Sequence, residues 1–430
     1  MFSAYLQCME DGCRQRYPLD HPQHECADCG GLLDVQYAFM PADPAALRRT
    51  WEQRKSGSTV LDQSGVWRFR ELLPFVPPGR DVVSLSEGRT PLVEVARTGK
   101  WAGGVQLSVK HQGNNPTGSF KDLGMTACIT QAAVVGSRAT ACASTGNTSA
   151  SMAAYAARAG MKAIVFVPFG KISPAKMAQA LEFGAVVVEV GNNFDQAFQM
   201  LRSLTVEMGL YLVNSLNPFR LEGQKTIVCE ILEQRAWRVP DFLVVPGGNL
   251  GNVSAIGKGL AEMKEMGLIE QTPRLVVVQA AGANPFYRMV AAGASEIVPV
   301  AEPSTAATAI RIGDPVNWKK ALRSLRQTNG LCESVTDEEI FEAKAALTQD
   351  GIGCEPASAA SVAGIKKLVK AGKIREGAEV VAVLTGHQLK DPEIALRRRS
   401  EEELSRQRIH VEANLDALRA ALENVLLQSA

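Results

Sequence analysis

Residues 241–246, Asp-Phe-Leu-Val-Val-Pro, carry no polar side chain after the aspartate, and Gly247-Gly248-Asn249-Leu250-Gly251-Asn252 follows at once. A helical pattern then begins at Val253. A continuous apolar run of this length reads as a strand buried on both faces, which belongs in a parallel sheet covered by helices. The same pattern recurs. A short apolar run precedes 143–151, which opens an alanine-rich helix through Arg158, and 380–384 runs into Thr385-Gly386-His387-Gln388. Further runs at 163–167 and 186–190 each follow a helical stretch, and 275–279 precedes a polar loop. The chain is therefore α/β with mainly parallel sheets. Its 430 residues, 46% of them hydrophobic, suffice for two or more packed domains.

The turns that end these strands carry chemistry. In 247–252 the absence of side chains lets backbone amides approach a phosphate, and the helix that follows adds a favourable field. The spacing is neither the dinucleotide fingerprint nor a Walker A loop, because no lysine follows the last glycine. Taken alone, an ordinary strand-to-helix turn accounts for it equally well. Around 143–151, Ser144, Thr145, Asn147 and Thr148 crowd donors at a helix start, which suits a carboxylate or a phenolate oxygen; an over-capped helix start is the plainer reading.

Residues 115–124, Asn-Pro-Thr-Gly-Ser-Phe-Lys-Asp-Leu-Gly, place Lys121 just past a turn. Ser119 is the expected N-cap of a helix over 120–131. The positive end of that helix lowers the cost of deprotonating Lys121, as Schiff-base chemistry requires. Thr385 offers a hydroxyl to a pyridine nitrogen. His387 reads as a structural hydrogen-bonder rather than a general base. A nucleophilic lysine, a donor cluster, a glycine loop and a neutral hydroxyl together make a pyridoxal-phosphate site.

With the motifs Glu87-Gly88-Arg89-Thr90-Pro91-Leu92, 214–226, 306–314 and 355–360 added to these, the chain from about Leu85 to Pro392 resembles the threonine synthase family of fold type II pyridoxal-phosphate enzymes. The resemblance implies that Lys121 holds the cofactor as a Schiff base, that Asn147 bonds its ring oxygen and that Thr385 meets its pyridine nitrogen. Its phosphate would be held by Gly247, Gly248, Asn249, Leu250, Gly251 and Asn252. It implies O-phospho-L-homoserine as substrate, its carboxylate on Ser144, Thr145 and Thr148 and its phosphate on Asn214, Ser215 and Arg220. Gln388 departs from the family, which usually has glycine after the histidine. The implied architecture is two doubly wound α/β domains with the cofactor in the cleft: a large one from 85–113 and 216–392, and a small one, 114–215, inserted between. Same-fold alternatives are an enzyme of another phosphorylated amino acid, such as a cysteate synthase, and a threonine or serine dehydratase. From a different class, a zinc-ribbon binding protein with an inactive enzyme body would have lost a catalytic residue, yet Lys121, Asn147 and Thr385 are present.

The remaining segments read separately. In 1–37, Cys8 and Cys13 are separated by four residues and Cys26 and Cys29 by two, two close pairs that fit a tetrahedral structural zinc. His21 and His24 are substitute ligands. Free thiols are the competing reading. Residues 38–84 form a connector, and the other five cysteines read as core packing. The tail, 393–430, is a charged helical segment in which Leu404, Val411, Leu418 and Val425 recur every seven residues with Leu415 and Leu422 between them, a stripe broken by Arg408 that suits docking on its own domain or on a symmetry mate, and so assisting a homodimer. A net charge of +1 gives no electrostatic case for nucleic acid or membrane partners, and no apolar stretch is long enough to span a bilayer. A cytoplasmic enzyme is expected.

Overall fold

The structure, a computed structural model, describes residues 4–21, 24–38, 43–77, 79–170, 174–191, 207–392 and 409–428. At the N-terminus, β1 (Ala4–Cys8) pairs antiparallel with both β2 (Arg16–Tyr17) and β3 (Leu33–Tyr37). So small a sheet cannot enclose a core of its own. Its Leu6, Leu33 and Val35 instead share one apolar cluster with Trp51, Trp67, Phe75 and Phe219 of the body. The stretch expected as a connector thus contributes to the core: α1 (Pro44–Arg54) and a 3-10 turn over Trp67–Leu72 supply its largest buried aromatics, with α2 (Val60–Gln63) between them.

The larger sheet begins with β4 (Leu92–Glu94), α3 (Ala96–Trp101) and β5 (Gln106–His111). The chain then leaves to build a second sheet and returns through α7 (Pro218–Gln224), α8 (Thr226–Gln234), β10 (Phe242–Pro246), α9 (Gly251–Glu265) and β11 (Arg274–Ala280). It continues through α10 (Pro285–Ala291), α11 (Trp318–Gln327), β12 (Leu331–Val335), α12 (Asp337–Gln349), α13 (Pro356–Lys370) and β13 (Glu379–Leu384). The strand order is β12-β11-β10-β13-β5-β4, parallel throughout except at β4. Leu243, Val245, Val277 and Val381 face one apolar cluster while Val244, Val276, Val278 and Val380 face another. Helices therefore cover both faces, the physical reason these strands read as unbroken apolar runs.

The second sheet is built from α4 (Lys121–Val134), β6 (Ala139–Ala143), α5 (Asn147–Arg158), β7 (Lys162–Pro168), α6 (Pro174–Glu182), β8 (Val186–Val190) and β9 (Tyr211–Leu212). Its order is β8-β7-β6-β9, every pair parallel. It lies within residues 114–215, the segment expected as an insertion.

Helix α4 touches α7 backbone to backbone. A methyl on Gly223 would stand 1.7 Å from the Leu123 carbonyl oxygen, and one on Gly124 would stand 2.7 Å from that of Arg220. Only glycine permits this approach. Beyond residue 390 the chain forms a separate unit containing α14 (Leu415–Gln428), on which Leu415, Leu418 and Leu422 are exposed. Leu404 lies outside the described residues. No helix among the described residues is long and apolar enough to cross a membrane.

Candidate active site

Three neighbouring strands of the larger sheet deliver their C-terminal ends to one place. β10 leads to the glycine loop at Gly247, β13 to Thr385, and β5 to the turn before Lys121. The β6 end of the second sheet brings 144–148, and β9 leads to 213–220. Ligand sites in parallel sheets form at such strand ends because loops and helix N-termini converge there.

Lys121 is strapped onto the Thr385 turn. The Phe120 N–H donates to the Thr385 carbonyl at 2.9 Å, the His387 N–H donates to the Gly118 carbonyl at 2.9 Å, and Ser119 bridges Gly386. Gly118 takes φ +85°, a conformation that a side chain would strain. Asp122 holds the turn from below, accepting from the Thr117 N–H at 2.7 Å, from its hydroxyl at 2.6 Å and from Ser151 Oγ at 2.5 Å. Ser119 does not cap α4 as expected. The helix starts at Lys121 with Phe120 preceding it, and the buried Ser119 hydroxyl has no hydrogen-bond partner among the described residues.

The amine of Lys121 is pushed down to about 7, first by burial and then by the neighbouring Arg220 charge, with Glu355 acting in the opposite direction. The sequence attributed this activation to the helix terminus alone; desolvation and a second cation are the larger causes. The residue as a whole stays half-buried, with its amine 4.2 Å from the centre of the Phe120 ring.

Arg220 is buried. Its Nη1 donates to the Val213 carbonyl at 3.0 Å, its Nε has no partner, and no carboxylate pairs with it among the described residues. Nearby Glu222 is occupied by Lys225 at 2.6 Å, by Tyr37 Oη at 2.7 Å and by Lys258. An ion pair between Arg220 and Glu222 is therefore not formed. Asn214 is less available than expected: its Oδ1 accepts from the Ala143 N–H at 3.1 Å and its Nδ2 donates to the Ala143 carbonyl at 3.2 Å. It works as a strut between strand ends with one N–H to spare. Ser215 presents its side chain from a half-buried position, while Asn317 Nδ2 donates to its carbonyl at 2.9 Å.

On the α5 side, Ser144, Thr145, Asn147 and Thr148 are all half-buried and line the start of the helix. Ser144 Oγ accepts from the Gly146 N–H at 3.2 Å. The glycine loop is shaped for close approach, since a methyl on Gly247 would come 2.8 Å from Val277, and Gly248 lies against Ala309 and Ile310 of the 306–314 motif. Leu250 adopts φ +61° and ends the loop, so α9 begins at Gly251, two residues earlier than expected. Its first N–H groups point into the loop, as in any helix start. Asn252 Nδ2 reaches Gln224 Oε1 at 3.4 Å while its buried Oδ1 has no partner among the described residues.

Glu355 was missed. It precedes Pro356 at the start of α13, and its buried carboxylate accepts from Asn147 Nδ2 at 3.0 Å and from the Thr385 hydroxyl at 3.1 Å. The hydroxyl of Thr385 also lies 2.9 Å from Ser358 Oγ. A carboxylate ahead of a proline within an apolar stretch was the available signal. The Nδ1 of His387 accepts from the Leu389 N–H at 3.2 Å.

In the N-terminal sheet the four thiols gather: the sulfurs of Cys8, Cys13, Cys26 and Cys29 lie within 4.8 Å of one another. Four sulfurs at about 2.3 Å from a central zinc fit a cluster of this size. His24 lies outside this cluster, with its Nε2 2.9 Å from Asn217 Nδ2 and 3.1 Å from the Leu212 carbonyl. His21 stacks on Tyr17.

Residues 83–386 match the family described as pyridoxal-phosphate dependent enzyme. Over 419 residues, 97% of this chain and 98% of the relative, the sequence is 44% identical to a threonine synthase of Methanosarcina acetivorans. Over 414 residues, 96% of this chain and 98% of the relative, it is 45% identical to one of Methanocaldococcus jannaschii. The chain belongs to the threonine synthases. Within this pyridoxal-phosphate family the fold is shared widely: the Escherichia coli threonine synthase aligns at a TM-score of 0.70 and 18% identity over 98% of this chain and 99% of that one. A maize serine racemase aligns at 0.62 and 18% over 86% of this chain and 99% of its own.

Proposed function

We propose that the protein converts O-phospho-L-homoserine and water into L-threonine and phosphate. One observation carries the choice of substrate: Arg220 is a buried guanidinium with no carboxylate beside it among the described residues, placed next to the reactive amine of Lys121. A buried cation left without an anion is costly, and a phosphate dianion supplies what is missing, on two oxygens at once. A dehydratase, whose substrate carries no phosphate, would have no use for it.

The residues fit pyridoxal phosphate. Lys121 is the enclosed amine that would carry it, Asn147 and Thr385, joined through the Glu355 carboxylate, would serve its ring polar atoms, and 247–252 would offer side-chain-free amides and a helix start to its phosphate. The bound cofactor supplies an electron sink at the substrate Cα. With that group bound, Lys121 would move the proton from Cα and then from Cβ; its lowered pKa suits a group that must take and return protons near neutrality. Ser144, Thr145 and Thr148 bind the substrate carboxylate. Arg220 and Ser215, with the spare N–H of Asn214, bind the leaving phosphate at Cγ. Phosphate release from purified protein, compared across phosphohomoserine, phosphoserine and threonine, tests this. Turnover restricted to phosphohomoserine is expected, and release from phosphoserine at a comparable rate would overturn the substrate.

We further infer that Cys8, Cys13, Cys26 and Cys29 hold one structural zinc. The clustering of their sulfurs supports it, and metal analysis should find about one zinc per chain, lost on Cys26→Ser with Cys29→Ser. The nine cysteines form no disulfide among the described residues, which favours a reducing compartment, the cytoplasm.

A further inference from the structure

The N-terminal sheet grips the catalytic body at helices that begin in the active site. His24 lies between the two cysteine pairs in sequence and is buried against β9, its ring edge-on to Tyr211 at 5.4 Å. Its Nε2 stands 2.9 Å from Asn217 Nδ2, while Asn217 Oδ1 accepts from the Phe219 N–H at 3.0 Å and so caps α7. Arg220 lies three residues further along that helix. Strand β3 holds the same helix from its other end. Tyr37 Oη donates to Glu222 Oε2, and Lys258 bonds the Val35 carbonyl, the Asp34 carboxylate at 3.4 Å and Glu222 together. Asp34 also receives Arg323 at 3.1 Å and Lys320 at 3.6 Å, and Lys320 donates to the Leu33 carbonyl at 2.8 Å. Gln131 of α4, the helix that opens with Lys121, donates to the Leu19 carbonyl at 2.9 Å.

Neither a simple surface appendage nor a packing platform needs buried polar contacts at both ends of one seven-residue helix. We propose that the metal-loaded N-terminal sheet is a positioning brace for Arg220, so that metal occupancy sets affinity for the phosphate-bearing substrate while leaving the cofactor in place. The inference rests on the two readings above, the zinc site and the phosphate contact of Arg220. The mechanism is geometric. A metal on Cys8, Cys13, Cys26 and Cys29 would tie β1, and β3 paired with it, to the loop that follows His24, so that the groups gripping the two ends of α7 form one body. Without the metal only main-chain pairing holds the His24 loop to β1 and β3, the grip on α7 loosens, and the guanidinium is held less firmly against α4. By reciprocity, phosphate bound at Arg220 must tighten the metal by the same factor.

The test uses the full-length holoenzyme and two variants that touch neither metal nor substrate, His24→Ala and Asp34→Asn, with His24→Asn as the conservative replacement. Zinc content, cofactor absorbance, KM and kcat for phosphohomoserine, and the Kd of inorganic phosphate by calorimetry are measured on each. In zinc-replete His24→Ala, KM and the phosphate Kd are expected to rise about 5- to 20-fold, within the usual range of coupling between sites. The cofactor spectrum should stay unchanged and kcat within about twofold, with His24→Asn recovering part of the loss. Stepwise removal of zinc from the wild type should raise the phosphate Kd in proportion to the metal lost, and saturating phosphate should slow that removal. A phosphate Kd that does not respond to zinc removal in the wild type overturns the brace, whether or not the variants fold. So does a His24→Ala protein that keeps its zinc and its KM. A wild type that contains no zinc overturns the metal reading itself, and an Arg220→Ala protein with unchanged phosphate affinity overturns the phosphate contact; each leaves its own signature.

Discussion

At Lys121 the decisive quantity is a proton. Burial and the Arg220 charge lower its pKa to about 7, so the amine is neutral and nucleophilic above that pH and protonated below it. Recombination of cofactor-free protein with pyridoxal phosphate should therefore speed up as pH rises through about 7 and then level off. An ordinary lysine would keep accelerating toward about 10.4. Borohydride reduction of the holoenzyme should fix the cofactor on the peptide containing Lys121, and Lys121→Ala should lose both colour and turnover. The carboxylate of Glu355 opposes the shift by favouring the charged amine. Glu355→Gln keeps an acceptor for Asn147 and Thr385 but removes that charge, so the midpoint of the recombination profile should move to lower pH; an unmoved midpoint would deny the electrostatic link. For Arg220, truncation to Ala removes a charge-assisted contact worth about 2–5 kcal/mol, or roughly 30- to several-thousand-fold in kcat/KM for phosphohomoserine. Cofactor binding should survive, because its phosphate is assigned to 247–252. Arg220→Lys should recover little, since an ammonium cannot meet two oxygens in a fixed plane.

At the level of elements, the site depends on how closely α4 and α7 approach. Gly223 faces the Leu123 carbonyl and Gly124 faces that of Arg220, so the two helices that carry the reactive amine and the guanidinium are spaced by main chain alone. Gly223→Ala would place a methyl 1.7 Å from an oxygen, which no side-chain rotation relieves. The helices must separate, at a cost of about 1–3 kcal/mol, the usual range for overpacking. A lower urea midpoint together with a raised KM for phosphohomoserine is expected, and a variant with wild-type stability would show that the crossing is looser than drawn. The strand ends were largely legible in the sequence, because strands buried on both faces leave unbroken apolar runs. The helix starts were less so: Ser119 has the right side chain for a cap, but its hydroxyl is turned into the core while α4 begins two residues later.

At the scale of the whole molecule, the N-terminal sheet and the segment 38–84 pack into the same cluster as the larger sheet. Stripping zinc should therefore lower the stability of the body and not merely fray the terminus. The tail behaves as its own unit, with Leu415, Leu418 and Leu422 exposed along α14. Apolar residues at heptad spacing on an exposed helix need a partner surface. We expect the full chain to sediment as a homodimer and a chain ending at Pro392 to dissociate at lower concentration. Equal dissociation of the two would remove the tail from the interface.

Local order along the chain was sufficient to specify the alternation of strands and helices, the glycine loop, Lys121 and the two cysteine pairs, because each is written in a contiguous stretch whose physics is local. Tertiary structure alone decided what those groups feel. Arg220 lowers the pKa of a lysine 99 residues earlier in the chain, Glu355 joins Asn147 to Thr385, and His24 meets the cap of α7. Charge, desolvation and hydrogen bonding act through distance in space, and that distance is set only when the two sheets and the N-terminal segment have packed.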